Sequence, residues 1–380
     1  MEPLKLGKLP QPLLQSLLSR VLPDPRVLVG PRLGEDAAVI SMGEKLLVAK
    51  TDPITFATEH IGWYAVQVNA NDIAMMGGEP RWFLATVLLP EGATAAVAES
   101  IFGQIESACR SLGIALVGGH TEVTQGLGRP ILAGFMLGEA TPDTLVTSSG
   151  AREGDDIIVT KGIAIEGTAA LALEHGPILA AKGVSRDRVR RAAEYLFVPG
   201  ISVVNDARVA RKAGPVHAMH DPTEGGLSTG LWELAQAAGL GLEIDLAQVQ
   251  VLPETREICA RLGIDPLGLL ASGALILASP PVSRDAILSA LAGAGIPARV
   301  IGRLVAREKG FRMVGPGGER DLRLFPRDEL ARWLEERSPD NNNRTRIEPR
   351  LNPYRTPIEQ LLKHGCREAG AAFDSGGSFS

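Results

Sequence analysis

The stretch Asn69-Ala70-Asn71-Asp72-Ile73-Ala74-Met75-Met76-Gly77-Gly78 decides how the rest of the chain is organised. It closes a helix that the apolar spacing predicts over residues 59–76, and the glycine pair is typical of a helix end. One face of that helix is apolar except for Asp72. A buried carboxylate is costly unless it is paired or binds a metal. Asp72 is therefore either a hydrogen-bonded core residue or a metal ligand.

The elements around this helix predict an α+β domain. A hairpin precedes it and a strand-helix-strand-strand succession follows it, which is not a strict βαβ repeat. An amphipathic helix is also predicted near the start of the chain. The predicted strands are 37–40, 45–50, 82–89, 114–117 and 130–138, and the predicted helices are 10–22, 59–76 and 94–112.

A change in composition over residues 144–155 predicts a domain boundary. We expect an N-terminal domain at 1–148, a second α+β domain at 149–337, and a disordered tail at 338–380, which is rich in Pro, Arg, Gly and Ser. In the second domain the pattern predicts strands at 156–160, 217–220, 242–244, 273–278 and 298–304. It predicts helices at 165–175, 185–195, 201–213, 224–238, 253–262, 284–294 and 327–337.

The length, composition and net charge of the chain limit the classes of function that it could have. The chain has 380 residues, a net charge of −5, 45% hydrophobic residues and 22% charged residues, as in ordinary globular proteins. An acidic balance argues against nucleic acid as the main partner. Neither a signal peptide nor a run long enough to span a membrane is evident. Three widely spaced cysteines without a CxxC motif favour a reducing cytoplasm.

Three further acidic motifs could join Asp72. Asp36 and Asp52 lie beside the two strands of the predicted hairpin, and Asp221 begins the segment Asp-Pro-Thr-Glu-Gly-Gly-Leu at 221–227. Each could equally be a turn or cap residue. Mg²⁺ takes oxygen ligands in near-octahedral geometry, and such ligands must converge from several elements. We therefore hypothesise that the four aspartates form one Mg-nucleotide site.

The segment Gly118-Gly119-His120-Thr121-Glu122 follows an apolar strand. Adjacent glycines let backbone amides approach a phosphate closely. An ordinary glycine turn is the alternative explanation. His120 could be a ligand partner, a proton carrier or a loop histidine.

Together these motifs resemble the aminoimidazole ribonucleotide (AIR) synthase superfamily of PurM-like proteins. The resemblance covers about residues 30–310 and is strongest to the HypE-like, AIR synthase related branch. It implies an N-terminal ATP-binding domain that pairs with a second copy in a shared β-barrel, and a C-terminal α+β domain. It also implies that ATP phosphorylates an acceptor. The ordered motifs are Gly-Glu-Asp-Ala-Ala-Val (34–39), Thr-Asp-Pro (51–53), Val-Asn-Ala-Asn-Asp-Ile-Ala-Met-Met-Gly (68–77), Gly-Gly-His-Thr-Glu-Val (118–123) and the segment at 221–227.

By this resemblance the site residues fall into three groups. Catalytic roles are expected for Asp72, Asp221 and His120. The expected Mg²⁺ ligands are Asp36, Asp52, Asp72, Asp221 and Glu122. ATP contacts are expected from Asp36, Asp52, Asn71, Gly118, Gly119, Thr121 and Lys161, with Asn69 as a supporting group.

The chain also departs from its relatives. His120 stands where kinase-like and HypE-like members usually have Asp, so Glu122 could replace that ligand or one metal could be missing. Lys161-Gly162 replaces a Gly-Asp-His-Gly type signature of HypE proteins. Their Pro-Arg-Ile-Cys tail, whose cysteine carries the carbamoyl group, has no counterpart here, and Cys366 is a poor substitute. No cysteine precedes Cys109, which argues against selenophosphate synthetase activity.

Three functions stay open at this point. The chain could be a HypE-related maturation factor that acts on a protein-borne group. It could be a small-molecule kinase like thiamine-monophosphate kinase. It could also be a nucleotide-binding regulatory protein without turnover. In every case we expect a homodimer that binds ATP and Mg²⁺.

Overall fold

The computed structural model describes residues 4, 9–31, 35–55 and 59–337. The predicted tail at 338–380 lies outside these ranges. The described chain contains two β-sheets, each covered by helices, and so confirms the mixed α+β class. The domain boundary predicted within 144–155 falls between the last strand of the first sheet and the first strand of the second. Among the helices described, none has the length and apolar character needed to cross a bilayer.

The first sheet has six strands in the order β1-β2-β3-β6-β4-β5. All neighbours are antiparallel except β4 and β5, which run parallel. The predicted hairpin is confirmed, because Met42 pairs with Lys45 across a tight turn. The sheet is open within one chain, so the shared barrel stays a prediction. The strands are β1 (Val27–Val29), β2 (Ala38–Met42), β3 (Lys45–Ile54), β4 (Glu79–Pro90), β5 (Ala115–Thr124) and β6 (Ile131–Ala140).

Three helices belong to this half: α1 (Gln11–Leu18), α2 (Ile61–Met75) and α3 (Ala95–Leu112). Burial of α2 extends beyond the apolar face that carries Asp72, because every residue of the helix except Val68 is buried. The helix packs on β3 and β6, on α3, and on a helix of the second domain. Small residues permit this packing: a Cβ on Gly62 would lie 2.6 Å from the carbonyl oxygen of Ile101.

The second sheet has seven strands in the order β13-β12-β9-β11-β7-β10-β8. Strand β7 reads Asp-Ile-Ile-Val-Thr and is buried at every position, as expected for a central strand covered on both faces. The strands are β7 (Asp156–Thr160), β8 (Ala218–His220), β9 (Gly241–Asp245), β10 (Ile276–Ser279), β11 (Ala298–Val305), β12 (Phe311–Gly315) and β13 (Gly318–Asp321). The helices are α4 (Ile165–Ala181), α5 (Arg186–Glu194), α6 (Val204–Ala213), α7 (Gly226–Ala237), α8 (Pro253–Leu262), α9 (Arg284–Gly293) and α10 (Glu329–Glu335).

The elements predicted from sequence are present, with three differences of substance. The strand predicted at 114–117 continues to Thr124, because its glycines pair with β4 and do not form a turn. Helix α4 extends to Ala181, beyond the predicted 165–175. Strands β1, β12 and β13 were not predicted.

Candidate functional site

Four aspartates from distant parts of the sequence lie near one another. Asp36 precedes β2, Asp52 lies in β3, Asp72 in α2, and Asp221 directly follows β8. Burial raises the pKa of Asp72 well above its ordinary value, and the charges of the other three aspartates raise it further. Lys50 contacts both Asp52 and Asp72, and oxygens of Asp36 and Asp221 lie within 4.8 Å of each other. The structure therefore brings together the four aspartates that the sequence motifs singled out.

Lys50 is the cation on the N-terminal side of the cluster. Its Nζ lies 3.3 Å from Asp52 Oδ2 and 3.2 Å from Asp72 Oδ2. Burial alone would lower the pKa of this ammonium, but the charges of Asp72, Asp52 and Asp36 outweigh it and raise the pKa. Lys50 is thus held in its charged form by the carboxylates.

His220 is the cation on the C-terminal side. Its Nδ1 lies 3.2 Å from Asp36 Oδ1, and its Nε2 lies 3.0 Å from Glu233 Oε2. Burial would lower the pKa of the ring, but the two carboxylates raise it well above the ordinary value. Both ring nitrogens therefore donate, and His220 orients Asp36 as an imidazolium.

Two carboxylate oxygens in the cluster lack hydrogen bonds. Asp221 is 2% exposed, and its Oδ2 has no hydrogen-bond partner. Asp72 Oδ2 likewise lacks a hydrogen bond and has only the ionic contact with Lys50. Burial, followed by the charge of Asp36, raises the pKa of Asp221 to about 7, although His220 and Lys50 oppose this. A buried carboxylate oxygen without a hydrogen bond, such as Asp221 Oδ2, suits a hard divalent cation.

Three potential ligand atoms lie close enough together to contact a single ion. Asp36, His220 and Asp221 each offer one atom, and these atoms lie within 4.8 Å of one another. Both nitrogens of His220 already face carboxylates, so the oxygens of Asp36 and Asp221 are the candidate cation ligands in this group. The residues present thus fit a magnesium ion with oxygen ligands.

The two asparagines of α2 contact backbone groups. Asn69 Oδ1 accepts from the Asp52 backbone N–H at 2.9 Å, and so positions the strand residue next to Lys50. Asn71 Nδ2 donates to the carbonyl of Ile201 at 2.9 Å. Both asparagines therefore support the site, and Asn71 does so from its interface with the second domain.

The residues predicted on β5 lie elsewhere. In the sheet order, β5 is three strands from β3, or about 14 Å at the usual spacing. His120 and Glu122 are exposed and pair with each other at 3.0 Å. Thr121, Gly118 and Gly119 lie on the same exposed strand. Within one chain, the structure does not bring these five residues together with the aspartates.

Lys161 is also separate from the cluster. Its Nζ donates to the carbonyl of Ser202 at 2.6 Å and lies 3.3 Å from Asp206 Oδ1. Burial lowers its pKa, and Asp206 only partly offsets this. These contacts give Lys161 a place in the packing of the second domain.

Lys50, His220 and Glu233 were not among the predicted site residues. Lys50 could have been found, since it is two residues from Asp52 and side chains two apart share one face of a strand. His220 adjoins Asp221 at the end of a strand, which was a weaker signal. Glu233 had none, because its position depends on how α7 packs beside β8.

Comparisons with known proteins show the family of this chain. The model of the AIR synthase related protein N-terminal domain matches residues 34–140, and that of the corresponding C-terminal domain matches residues 152–315. The carbamoyl dehydratase HypE of Cupriavidus necator is 31% identical, over 74% of this chain and 79% of its own length.

Solved structures show the same fold. The hydrogenase maturation protein HypE in complex with ATP superimposes with a TM-score of 0.64 and 26% identity, covering 84% of this chain and 91% of the other. Thiamine monophosphate kinase from Aquifex aeolicus shares the fold alone, with a TM-score of 0.59, 21% identity, and coverage of 81% and 96%. The chain therefore belongs to the AIR synthase related protein family, within its HypE-like branch.

Proposed function

We propose that this chain binds Mg²⁺-ATP at the aspartate cluster and uses it to phosphorylate an oxygen of an acceptor. One observation carries the proposal: buried Asp72 and Asp221 each keep an oxygen without a hydrogen bond in a cluster that has excess negative charge. Buried carboxylates of this kind need a proton or a cation to compensate their charge, and a divalent cation would supply that compensation. The HypE structure solved with ATP supports the choice of nucleotide.

In this proposal the aspartates bind the metal ion that accompanies ATP. Asp36, Asp72 and Asp221 would hold Mg²⁺, which supplies charge neutralisation for the triphosphate during in-line transfer. His220 fixes Asp36 from the second domain, and Lys50 fixes Asp52 and Asp72 from the first. Because these groups come from both domains, the geometry of the site depends on how the domains pack. No covalent protein nucleophile is required.

A carbamoyl dehydratase, such as the Cupriavidus necator relative, removes water from a carbamoyl group. ATP would phosphorylate the carbamoyl oxygen and release ADP, and loss of that oxygen as phosphate, together with the two nitrogen-bound protons, would leave a nitrile. We propose an acceptor of the carboxamide class, either a small molecule or a group on a maturation protein. Thiamine monophosphate is the second candidate, since the kinase shares the fold. Regulatory nucleotide binding without turnover is the third.

The proposed homodimer has a physical basis in β5. This strand lies at an edge of its sheet and is exposed along almost all of its length, including the side chains of Leu116, Val117 and Val123. An exposed edge strand with apolar side chains favours pairing with another chain.

A cytoplasmic location likewise stays a prediction. In the part of the chain that the structure describes, Cys109 and Cys259 are free and buried.

Phosphate release tests the function. The purified protein should release phosphate from Mg²⁺-ATP when a carboxamide acceptor is present, and Asp221→Asn should abolish this release. ADP formation that requires thiamine monophosphate, with the phosphoryl group kept on the acceptor and no phosphate released, would instead establish the second candidate. ATP binding with neither ADP formation nor phosphate release on any acceptor would support the third. If ATP does not bind at all, the proposal is wrong.

A further inference from the structure

Lys50 contacts the carboxylate oxygen that a metal ion would also need. Its Nζ is 3.2 Å from Asp72 Oδ2, an oxygen that no hydrogen bond satisfies. The same ammonium is 3.3 Å from Asp52 Oδ2. We propose that Lys50 is an internal counter-ion that competes with the divalent cation for Asp72. This inference rests on the proposed function, because it assumes that the aspartate cluster binds such a cation.

The competition follows from charge and distance. Mg²⁺ binds carboxylate oxygens at about 2.0–2.1 Å. An ammonium 3.2 Å from the same oxygen would then face a divalent charge at close range in a buried setting, and like charges repel strongly there. Lys50 must therefore leave Asp72 Oδ2 when the metal binds that oxygen. Its flexible four-carbon stem permits the movement.

The charges of the cluster suit this arrangement. Four aspartates and Glu233 face two cations, Lys50 and His220, so the carboxylates outnumber the cations and the cluster can take up one divalent ion. His220 is fixed by Asp36 and Glu233 and cannot readily leave. Among the described residues, both ion pairs of Lys50 are with carboxylates of the cluster, so Lys50 is the cation that can exchange.

The consequence is a weaker affinity for metal when no nucleotide is present. The metal ion must break the ion pair between Lys50 and Asp72 before it can bind the Asp72 oxygen. Once displaced, the ammonium is close enough to the cluster to meet the triphosphate of a bound nucleotide. Lys50 would in this way make tight metal binding depend on the nucleotide.

Titration of the whole chain with Mn²⁺, without nucleotide, tests the inference. Electron paramagnetic resonance measures the unbound Mn²⁺ at each step of the titration. Lys50→Met removes the charge and keeps the length of the side chain. We expect Lys50→Met to bind Mn²⁺ about tenfold more tightly than wild type. Lys45→Met is the matched control on the same strand, because Lys45 is exposed and pairs with Glu139. It should leave the affinity unchanged.

The outcomes separate the two proposals. Equal or weaker Mn²⁺ binding by Lys50→Met, with measurable binding by wild type, overturns the role of Lys50 and leaves the proposed function intact. Failure of both proteins to bind Mn²⁺ overturns the metal site itself and the competition with it. If Lys50→Met does not fold, the double variant Lys50→Met with Asp52→Asn keeps the cluster charge. Its affinity, measured against Asp52→Asn alone, should show the same gain.

Discussion

Asn71 of α2 donates its Nδ2 hydrogen to the carbonyl oxygen of Ile201 in the second domain, at 2.9 Å. The same amide accepts from the backbone N–H of Val203, also at 2.9 Å. One side chain therefore holds the segment before α6 against the helix that carries Asp72. Since Asp221 comes from the second domain, this clamp helps to set the spacing of the carboxylates.

Asn71→Ala should lower the free energy of unfolding by roughly 2–4 kcal/mol, because it leaves a buried carbonyl and a buried N–H without partners. Urea unfolding followed by circular dichroism measures this. Gln248→Ala is the control at an exposed amide, and it should change stability by less than about 0.5 kcal/mol. Equal stability of Asn71→Ala and wild type would mean that the clamp contributes nothing.

Gly119 and Gly118 form a matched pair on β5. A Cβ at Gly119 would lie 2.0 Å from the carbonyl oxygen of Ala85, and the φ of +151° is strained for other residues. A Cβ at Gly118 would meet only Leu84 Cδ2, at 3.7 Å. We expect Gly119→Ala to lower the free energy of unfolding by about 1–3 kcal/mol, and the melting temperature by several degrees. Gly118→Ala should leave both unchanged.

The same pair tests the predicted phosphate contacts. If both glycines line the phosphates, Gly118→Ala should weaken ATP binding in a protein of normal stability. Unchanged ATP affinity in Gly118→Ala would restrict these glycines to a role in packing β4 against β5.

Glu166 gives a pH dependence outside the aspartate cluster. Burial, with the charges of Asp328 and Glu224, raises its pKa from 4.5 to about 7. A raised pKa means that the fold favours the neutral acid. The contribution to stability is fully present below pH 4.5 and is lost as the pH rises through 7.

Glu166→Gln cannot ionise and should not show this loss. Between pH 4.5 and 8, wild type should lose about 3 kcal/mol more stability than Glu166→Gln, as measured by urea unfolding at each pH. Glu99→Gln, at an exposed position of α3, should follow wild type. Parallel pH profiles for Glu166→Gln and wild type would contradict the assignment.

Local patterns in the sequence predicted the elements that surround the site. The 3.6-residue spacing predicted α2 nearly to its observed ends, and two short apolar runs joined by Ser-Met-Gly-Glu predicted the β2–β3 hairpin. The continuation of β5 through Gly118-Gly119 could not be predicted, because pairing with β4 overrides the turn preference of glycine. The complete burial of α2 also depends on tertiary packing, because the second domain covers its remaining face.

The residues of the site also separate into those that local motifs predict and those that depend on tertiary packing. Motifs identified the four aspartates, since carboxylates at strand and helix ends can be recognised along the chain. The groups that balance them carry weaker signals or none. Lys50 could be inferred only from its spacing to Asp52 along one strand, and Glu233 reaches His220 only through the packing of α7. Counter-charges are properties of the assembled structure.

Calorimetric titration of Mg²⁺-ATP into wild type and Asp221→Asn tests the central claim most directly. Asp285→Asn, at an exposed position of α9, is the control. We predict that Asp221→Asn folds normally and loses measurable Mg²⁺-ATP binding, while Asp285→Asn binds like wild type. Wild-type affinity in a folded Asp221→Asn variant would contradict the claim that the aspartate cluster is the Mg²⁺-ATP site.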